Sequence, residues 1–519
     1  MRATGCQLLL IVGSQLALGL CQFVPESNAS ELPLGPESQS EQQPKWMLQK
    51  ALVKGIDRSW AELRTELNGD IKVKLSLKEA IKQGLQNNPS LAVTFYQLQG
   101  SKWSGIAIRR EWLPALTVNN PNPDIIGIGD SRKSTSVNGS SGSINNTTSI
   151  KRLTSNPRIQ LKWTFLDPTR VPRTRASNAE IRAREFLFDV SARNLVLDIQ
   201  NSYFLLQQRL QLLESYEEVY IKTRAQVGVA LNLLKKRLGS QGSIDQLRSQ
   251  QLQQLSQLIQ LNEQVSSSAY QLAYALSLKP GNLVFPSEEL TIQGRWDTPL
   301  QTSIDHAIEF REEIGALLST ADGLRWASNS LLNRYLPVVS IFGQSYYRSD
   351  SYSSNQSGDS SSNTTGDTNE FRNNIGLNLN WQLFDGGINA AKAQSSREEA
   401  SATLSKANLE RYAVTLQVQN SFATYKTSLA EINTAKEQLN QAGKSLEETI
   451  RSYGLIPAAA TTYIQNTQAY LNAITTYSQA VRKHNTSVSS LYRYSSIWPE
   501  EAYLPLQERV KNLQQTPLQ

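Results

Sequence analysis

Cysteine and histidine are nearly missing from this 519-residue chain. Cys6 and Cys21 both lie in the first apolar stretch, and the two histidines, His306 and His484, stand far apart. That scarcity argues against a zinc site, a disulfide framework and a Cys/His nucleophile pair, so no metal or other cofactor is expected. Clustered positive charge is missing too. Lys and Arg total 52 against 45 Asp and Glu, a mild excess of +7 with no basic cluster, so nucleic acid is not an expected partner. No nucleophile, base and orienting group can be assembled from motif spacing, which speaks against an enzyme. Apolar residues are only 39% of the chain, and beyond the N-terminus no window approaches 18 consecutive apolar residues, so no transmembrane helix is expected. Ser, Gln, Asn and Thr fill the space.

At the N-terminus, Arg2 precedes an apolar run from Leu8 to Leu20, and small residues follow at Ser27 and Ala29. A basic start, about a dozen apolar residues and a small-residue cleavage site read as a secretory signal over residues 1–29. A lipoprotein signal ending at Cys21 is the rival, but Leu20 is bulky where that cleavage wants a small residue. Cleavage after Ala29 leaves a mature chain without cysteine.

Beyond a Pro- and Gln-rich extension (residues 30–75, with a short helix expected from Trp46 to Leu67), the sequence repeats itself. Leu77 to Ile81 has its counterpart in Leu300 to Ile304, and Leu113-Pro114 in Leu336-Pro337. Phe165-Leu166-Asp167 returns as Leu383-Phe384-Asp385, and Asn201-Ser202-Tyr203-Phe204 as Asn420-Ser421-Phe422. Four landmarks in one order at nearly one spacing indicate two tandem copies, residues 76–287 and 298–498, followed by a polar, mobile tail at 499–519.

Each copy mixes two textures. Between Pro172 and Pro280 there is no proline, and the tracts from Ile388 to Ile456 and Ala458 to Trp498 are comparable; these are long helices. One of about 65 residues, from near Thr174 to Leu238, would reach roughly 100 Å, a length that no globular core needs. Their apolar residues form narrow seams, as in Leu195, Ile199, Leu206, Leu210 and Leu213, or Leu247, Leu252, Leu255 and Ile259. The second texture is alternation: Ile159, Leu161, Trp163 and Phe165 against Arg158, Gln160, Lys162 and Thr164, then Ile375, Leu377, Leu379, Trp381 and Leu383 against Gly376, Asn378, Asn380 and Gln382. This is a strand with one apolar and one polar face. Shorter partners follow Pro114 and Pro337, and the low-complexity stretches Asn119 to Asn156 and Asp350 to Asn369 read as polar loops between strands. Gly127 and Gly129 lack a third glycine at Arg132 and are loop residues, not a phosphate cradle.

Two strands per copy give four per chain. A membrane barrel must close, and single-chain barrels begin at eight strands. Several chains must therefore share one wall; two would enclose a lumen filled by side chains, so an open conduit needs three or more, and a cyclic trimer of twelve strands is favoured.

Here the residues resemble a known family, the TolC-like outer membrane efflux proteins. The resemblance rests on Leu77 to Leu91 with Asn88-Pro89, Trp112-Leu113-Pro114, Trp381 to Gly387, Arg237-Leu238-Gly239 with Asp245 to Arg248, and Arg451 to Leu455. It implies a mixed architecture, a trimeric β-barrel in the outer membrane continued by a periplasmic α-helical coiled-coil tunnel. It also implies partners: a periplasmic membrane-fusion adaptor and an inner-membrane transporter of ABC, RND or MFS type, for efflux or type I secretion. Tyr453 and Asp245 fall on positions resembling the polar links that close the tunnel, and Thr462 and Gln465 where the family carries an acidic ring. Asp245 reads equally as a helix-start acid favoured by the dipole. Gly239, Gly454 and Leu455 fall at the hairpin tips expected to meet the adaptor, although turn geometry alone would also place glycines there. The competing reading is a secreted structural or tethering coiled coil of the cell envelope.

Overall fold

The computed structural model describes residues 71–119, 126–139, 142–155, 157–279, 281–357, 361–452 and 460–515. The secretory signal, the helix expected from Trp46 to Leu67, and Tyr453, Gly454, Leu455 and Pro457 lie outside them.

The first repeat, with a short strand ahead of it, runs β1 (Ile71–Leu75), α1 (Leu77–Asn87), α2 (Pro89–Arg110), β2 (Ala115–Asn119), β3 (Ile126–Gly139), β4 (Gly142–Ser155), β5 (Arg158–Leu166), α3 (Arg170–Lys235), α4 (Gln241–Ala275) and β6 (Asn282–Pro286). The second runs α5 (Leu300–Phe310), α6 (Glu312–Leu332), β7 (Val338–Ser357), β8 (Ser362–Asn380), α7 (Ile388–Ser452) and α8 (Ala460–Tyr494), and α9 (Glu500–Gln515) follows. Helices of 11, 22, 66 and 35 residues in the first copy face helices of 11, 21, 65 and 35 in the second. At 1.5 Å per residue, α3 and α7 each extend roughly 100 Å.

Local chemistry sets the boundaries. Ser76 and Glu79 form a reciprocal capping box on α1. Asn88 ends α1 and starts α2: its Oδ1 accepts from Ser90 N at 2.8 Å, Pro89 occupies the first helical position, and its Nδ2 donates to the Ala275 carbonyl at 2.8 Å. At the sheet ends of the long helices, Asp167 accepts from Thr169 N, and Asp385 from Gly387 N and Asn389 N, all at 2.9 Å.

The helices pack along narrow seams, as their sparse apolar residues dictate. Leu195, Ile199 and Leu206 of α3 join Leu85, Leu91, Leu272 and Val284 in the largest core cluster. On α4, however, Leu252 and Ile259 are 49% and 42% exposed, and the buried line is Ile244, Leu247, Leu255, Leu258 and Val265. Those two residues lie on a second face of the helix, which the seam expected from spacing had merged with the first.

Two elements depart from expectation at the chain ends. The tail expected to be mobile forms α9, whose Ala502, Leu506 and Leu513 lie on one helical face and join the main cluster. Ahead of the first repeat, β1 pairs in parallel with β6, Ile71 opposite Asn282 through Leu75 opposite Pro286.

The main sheet is antiparallel. β2 pairs with β5, β3 with β4, and β7 accepts β5 and β4 on one side and β8 on the other. Since β5 and β4 lie end to end along β7, the sheet behaves as four side-by-side tracks: β2/β3, β4/β5, β7 and β8. The low-complexity stretches expected as loops are largely hairpin. Ile126 to Gly139 pairs with Gly142 to Ser155, and Val338 to Gln356 pairs with Ser362 to Asn380. Backbone ladders need no core, and Ser, Thr and Asn side chains can stand in water on both faces once a neighbouring strand fixes the register. The outermost tracks, β2/β3 and β8, each have a free edge among the described residues. No described helix is long and apolar enough to cross a membrane.

Candidate channel wall and tunnel entrance

Directly opposed residues of an antiparallel ladder share a face. Leu116 opposes Leu161, which opposes Gly343, which opposes Ile375; Trp163 opposes Ile341, which opposes Leu377; and Val339 opposes Leu379. These rows make one continuous apolar face over all four tracks. It is uncovered: Ile375, Leu377 and Leu379 are 85%, 71% and 62% exposed. From Phe371 to Leu379 the strand rises about 27 Å, or about 20 Å once tilted as barrel strands are, close to the height of a bilayer's apolar band. The opposite face carries Gln160, Lys162, Gln344, Asn374 and Asn378. Two aromatic rings on it lie over glycines directly across the ladder, Phe342 over Gly376 and Tyr352 over Gly366; a Cβ at either glycine would meet the ring at 2.9 or 2.8 Å. These pairs pin the register of β7 against β8.

Equivalent tryptophans fasten sheet to helices in both repeats. Trp163 Nε1 donates to the Trp112 carbonyl and Trp381 Nε1 to the Tyr335 carbonyl, both at 2.9 Å. Both sit at the boundary between the apolar band and the helical portion, where an amphipathic ring is favoured.

At the far end of the long helices, Val227, Ala230, Ile244, Leu247, Leu446, Ala460 and Tyr463 form a small core, within which the Tyr463 hydroxyl lies 3.0 Å from Thr223 Oγ1. Thr462 and Gln465 are exposed and three residues apart, so they share a face of α8 turned away from Tyr463. Asp245 is exposed one turn into α4, accepting from Gln241 Nε2 at 3.0 Å. The N-cap of α4 is Ser240, whose Oγ accepts from Ser243 N.

The turn between α3 and α4 corrects one expectation. The residue in left-handed conformation is Arg237, with φ of 58°, closed by Leu238 N donating to the Leu233 carbonyl at 2.9 Å. Gly239 serves a close approach instead: a Cβ there would stand 3.2 Å from Leu234 N and 3.3 Å from Leu233 Cβ.

Sequence reading missed a buried ionic cluster midway along the molecule. Arg193 of α3 pairs with Glu312 at 2.5 Å, Arg311 pairs with Glu313 at 2.8 Å, and Arg493 of α8 also reaches Glu313. Arg311 Nη1 donates to the Arg493 carbonyl at 3.0 Å, and Arg493 Nε to Asn194 Oδ1 at 2.8 Å. Burial is the main cause lowering the Arg193 and Arg311 guanidinium pKa values. Nearby Asp189 is pushed up to about 6, chiefly by burial and then by the Glu312 charge. The signal was present in the repeat itself, because Arg311-Glu312-Glu313 stands where the first copy has Asn88-Pro89-Ser90.

No family profile matches the sequence, and no curated protein matches it in sequence. Solved structures do match in fold. The Campylobacter jejuni CmeC outer membrane channel superposes with a TM-score of 0.64 at 15% identity, over 95% of this chain and 98% of that one. The Vibrio cholerae outer membrane protein VceC gives 0.58 at 15%, over 81% and 95%. The open state of the Neisseria gonorrhoeae MtrE outer membrane channel gives 0.58 at 12%, over 81% and 89%. Helices near 100 Å long, a sheet with one bare apolar face and tandem repetition of both thus meet in one chain, and its fold is that of the TolC-like outer-membrane channels.

Proposed function

We propose that three copies of this chain form an outer-membrane exit duct, closing a twelve-stranded barrel above a periplasmic tunnel of helices. The observation that carries it is the four-track sheet, apolar on one face and polar on the other, with edges free among the described residues and helices of 66 and 65 residues on the same chain. In lipid an open edge leaves backbone groups unpaired, so each edge needs another copy. The duct works without chemistry of its own. It receives cargo for efflux or type I secretion from an inner-membrane transporter of ABC, RND or MFS type through a periplasmic adaptor. Gly239, with Gly454 and Leu455, is assigned to adaptor contact, and Asp245, Tyr453, Thr462 and Gln465 to the tunnel entrance.

The test is fractionation and reconstitution. Heat-resistant trimers in outer-membrane fractions, with stepwise ion conductance in planar bilayers, are expected. A soluble, non-conducting protein would overturn the reading in favour of an envelope coiled coil.

A further inference from the structure

The two faces of the main sheet differ in charge as well as in polarity. Register assigns each charged residue to a face, with β7 as the common reference. The face opposite the apolar band carries Lys133, Arg152, Arg158, Lys162, Arg348 and Arg372 against Asp350 and Glu370. The band side carries Arg132 and Lys151 against Asp130 and Asp367. Among the described residues the sheet's net positive charge therefore stands on one face only.

The acids on that face are already engaged. Arg348 holds Asp350 at 2.6 Å, and Arg372 holds Glu370 at 2.6 Å. Lys133, Arg152, Arg158 and Lys162 have no described carboxylate partner. Arg158 and Arg372 lie over the ring of Tyr346, at 5.5 and 5.9 Å from its centroid, so three adjacent strands hold two guanidinium groups around one aromatic. A neighbouring copy would not cancel this charge, because it would bring the same residues on the same face.

We infer that the barrel lumen favours anions, so the duct passes anionic solutes more readily than cationic ones of similar size. This rests on the exit-duct reading, which turns the polar face inward. A ring of fixed cations along a water-filled wall raises the local anion concentration and opposes cations.

The experiment is the zero-current potential of the full-length protein in planar bilayers across a KCl gradient. Salt is kept near 0.1 M, where charges are screened over about 10 Å. The wild type is expected to prefer chloride. In the double variant Arg158→Glu, Lys162→Glu the chloride-to-potassium permeability ratio should fall by about threefold or more, as expected where wall charges set the local field. Lys151→Glu, a charge reversal on the band side, should leave it unchanged. The tunnel entrance is common to all three proteins, so the change reports on the barrel. If the double variant forms no heat-resistant trimer, Arg158→Gln, Lys162→Gln replaces it, with a smaller fall expected. Intact conductance with the same ratio in wild type and variant overturns the inference and leaves the duct standing. Absence of any wild-type conductance overturns both.

Discussion

Arg193 in the first repeat and Glu312 in the second are joined in the buried middle of the molecule, with Nε donating to Oε1 at 2.5 Å. The same guanidinium donates through Nη2 to the Ser496 carbonyl at 3.1 Å and lies 4.0 Å from the Trp498 ring centroid. One side chain thus ties α3, α6 and the chain following α8. Glu312→Ala removes its counter-charge without returning it to water. A loss of about 3–5 kcal/mol is expected, seen as a large drop in unfolding temperature, whereas Glu312→Gln keeps an acceptor and loses less.

Asp189 sets a pH dependence of opposite sense to that of an ordinary paired carboxylate. Its folded value of about 6 lies above its ordinary value, so between about pH 4 and 6 the folded chain binds more protons than the unfolded one. Its contribution is most favourable in acid and is lost as pH rises through 6. Asp189→Asn should therefore stabilise the protein at neutral pH, by about 2 kcal/mol after allowance for partial exposure, and change little near pH 4. Unfolding temperatures at both pH values check this.

At the turn between α3 and α4, Arg237 holds a left-handed conformation that costs an L-residue roughly 1–2 kcal/mol. Arg237→Gly should raise stability by about 1 kcal/mol, measured by chemical unfolding. Gly239→Asp should act differently. It crowds the Leu233–Leu234 backbone and places a charge at the proposed adaptor contact, so trimers form normally while drug tolerance falls. Normal tolerance at a normal protein level would remove Gly239 from docking.

Asp245 is exposed, and among the described residues its carboxylate accepts from Gln241 one turn earlier, so a polar link at the entrance is within its reach. Asp245→Ala is expected to raise single-channel conductance. An unchanged conductance would assign the residue to the first turns of α4 alone.

The long helices and the apolar strand face were legible because each follows from a period: proline-free tracts with seams, and alternation from Ile159 to Phe165 and Ile375 to Leu383. The observed α3, Arg170–Lys235, lies within a few residues of the expected span. What escaped reading obeys no period. The Ser- and Asn-rich hairpins are held by backbone bonds and by rings over Gly366 and Gly376, which composition does not reveal. Helix α9 buries only a few apolar residues, too few to stand out from a polar tail. The ionic cluster joins residues about 300 positions apart, Asn194 with Arg493, and distance of that kind is settled only by packing.

The edges of β2/β3 and β8 left free among the described residues bear on inheritance as well as architecture. The proposed closed ring would be only as sound as its least capable copy, since each copy would have to satisfy both neighbours. A variant that keeps one edge intact and spoils the other would enter rings and leave them open. In a cell expressing both forms, such an allele would be dominant over the normal one, whereas a variant that destroys the fold outright would be recessive.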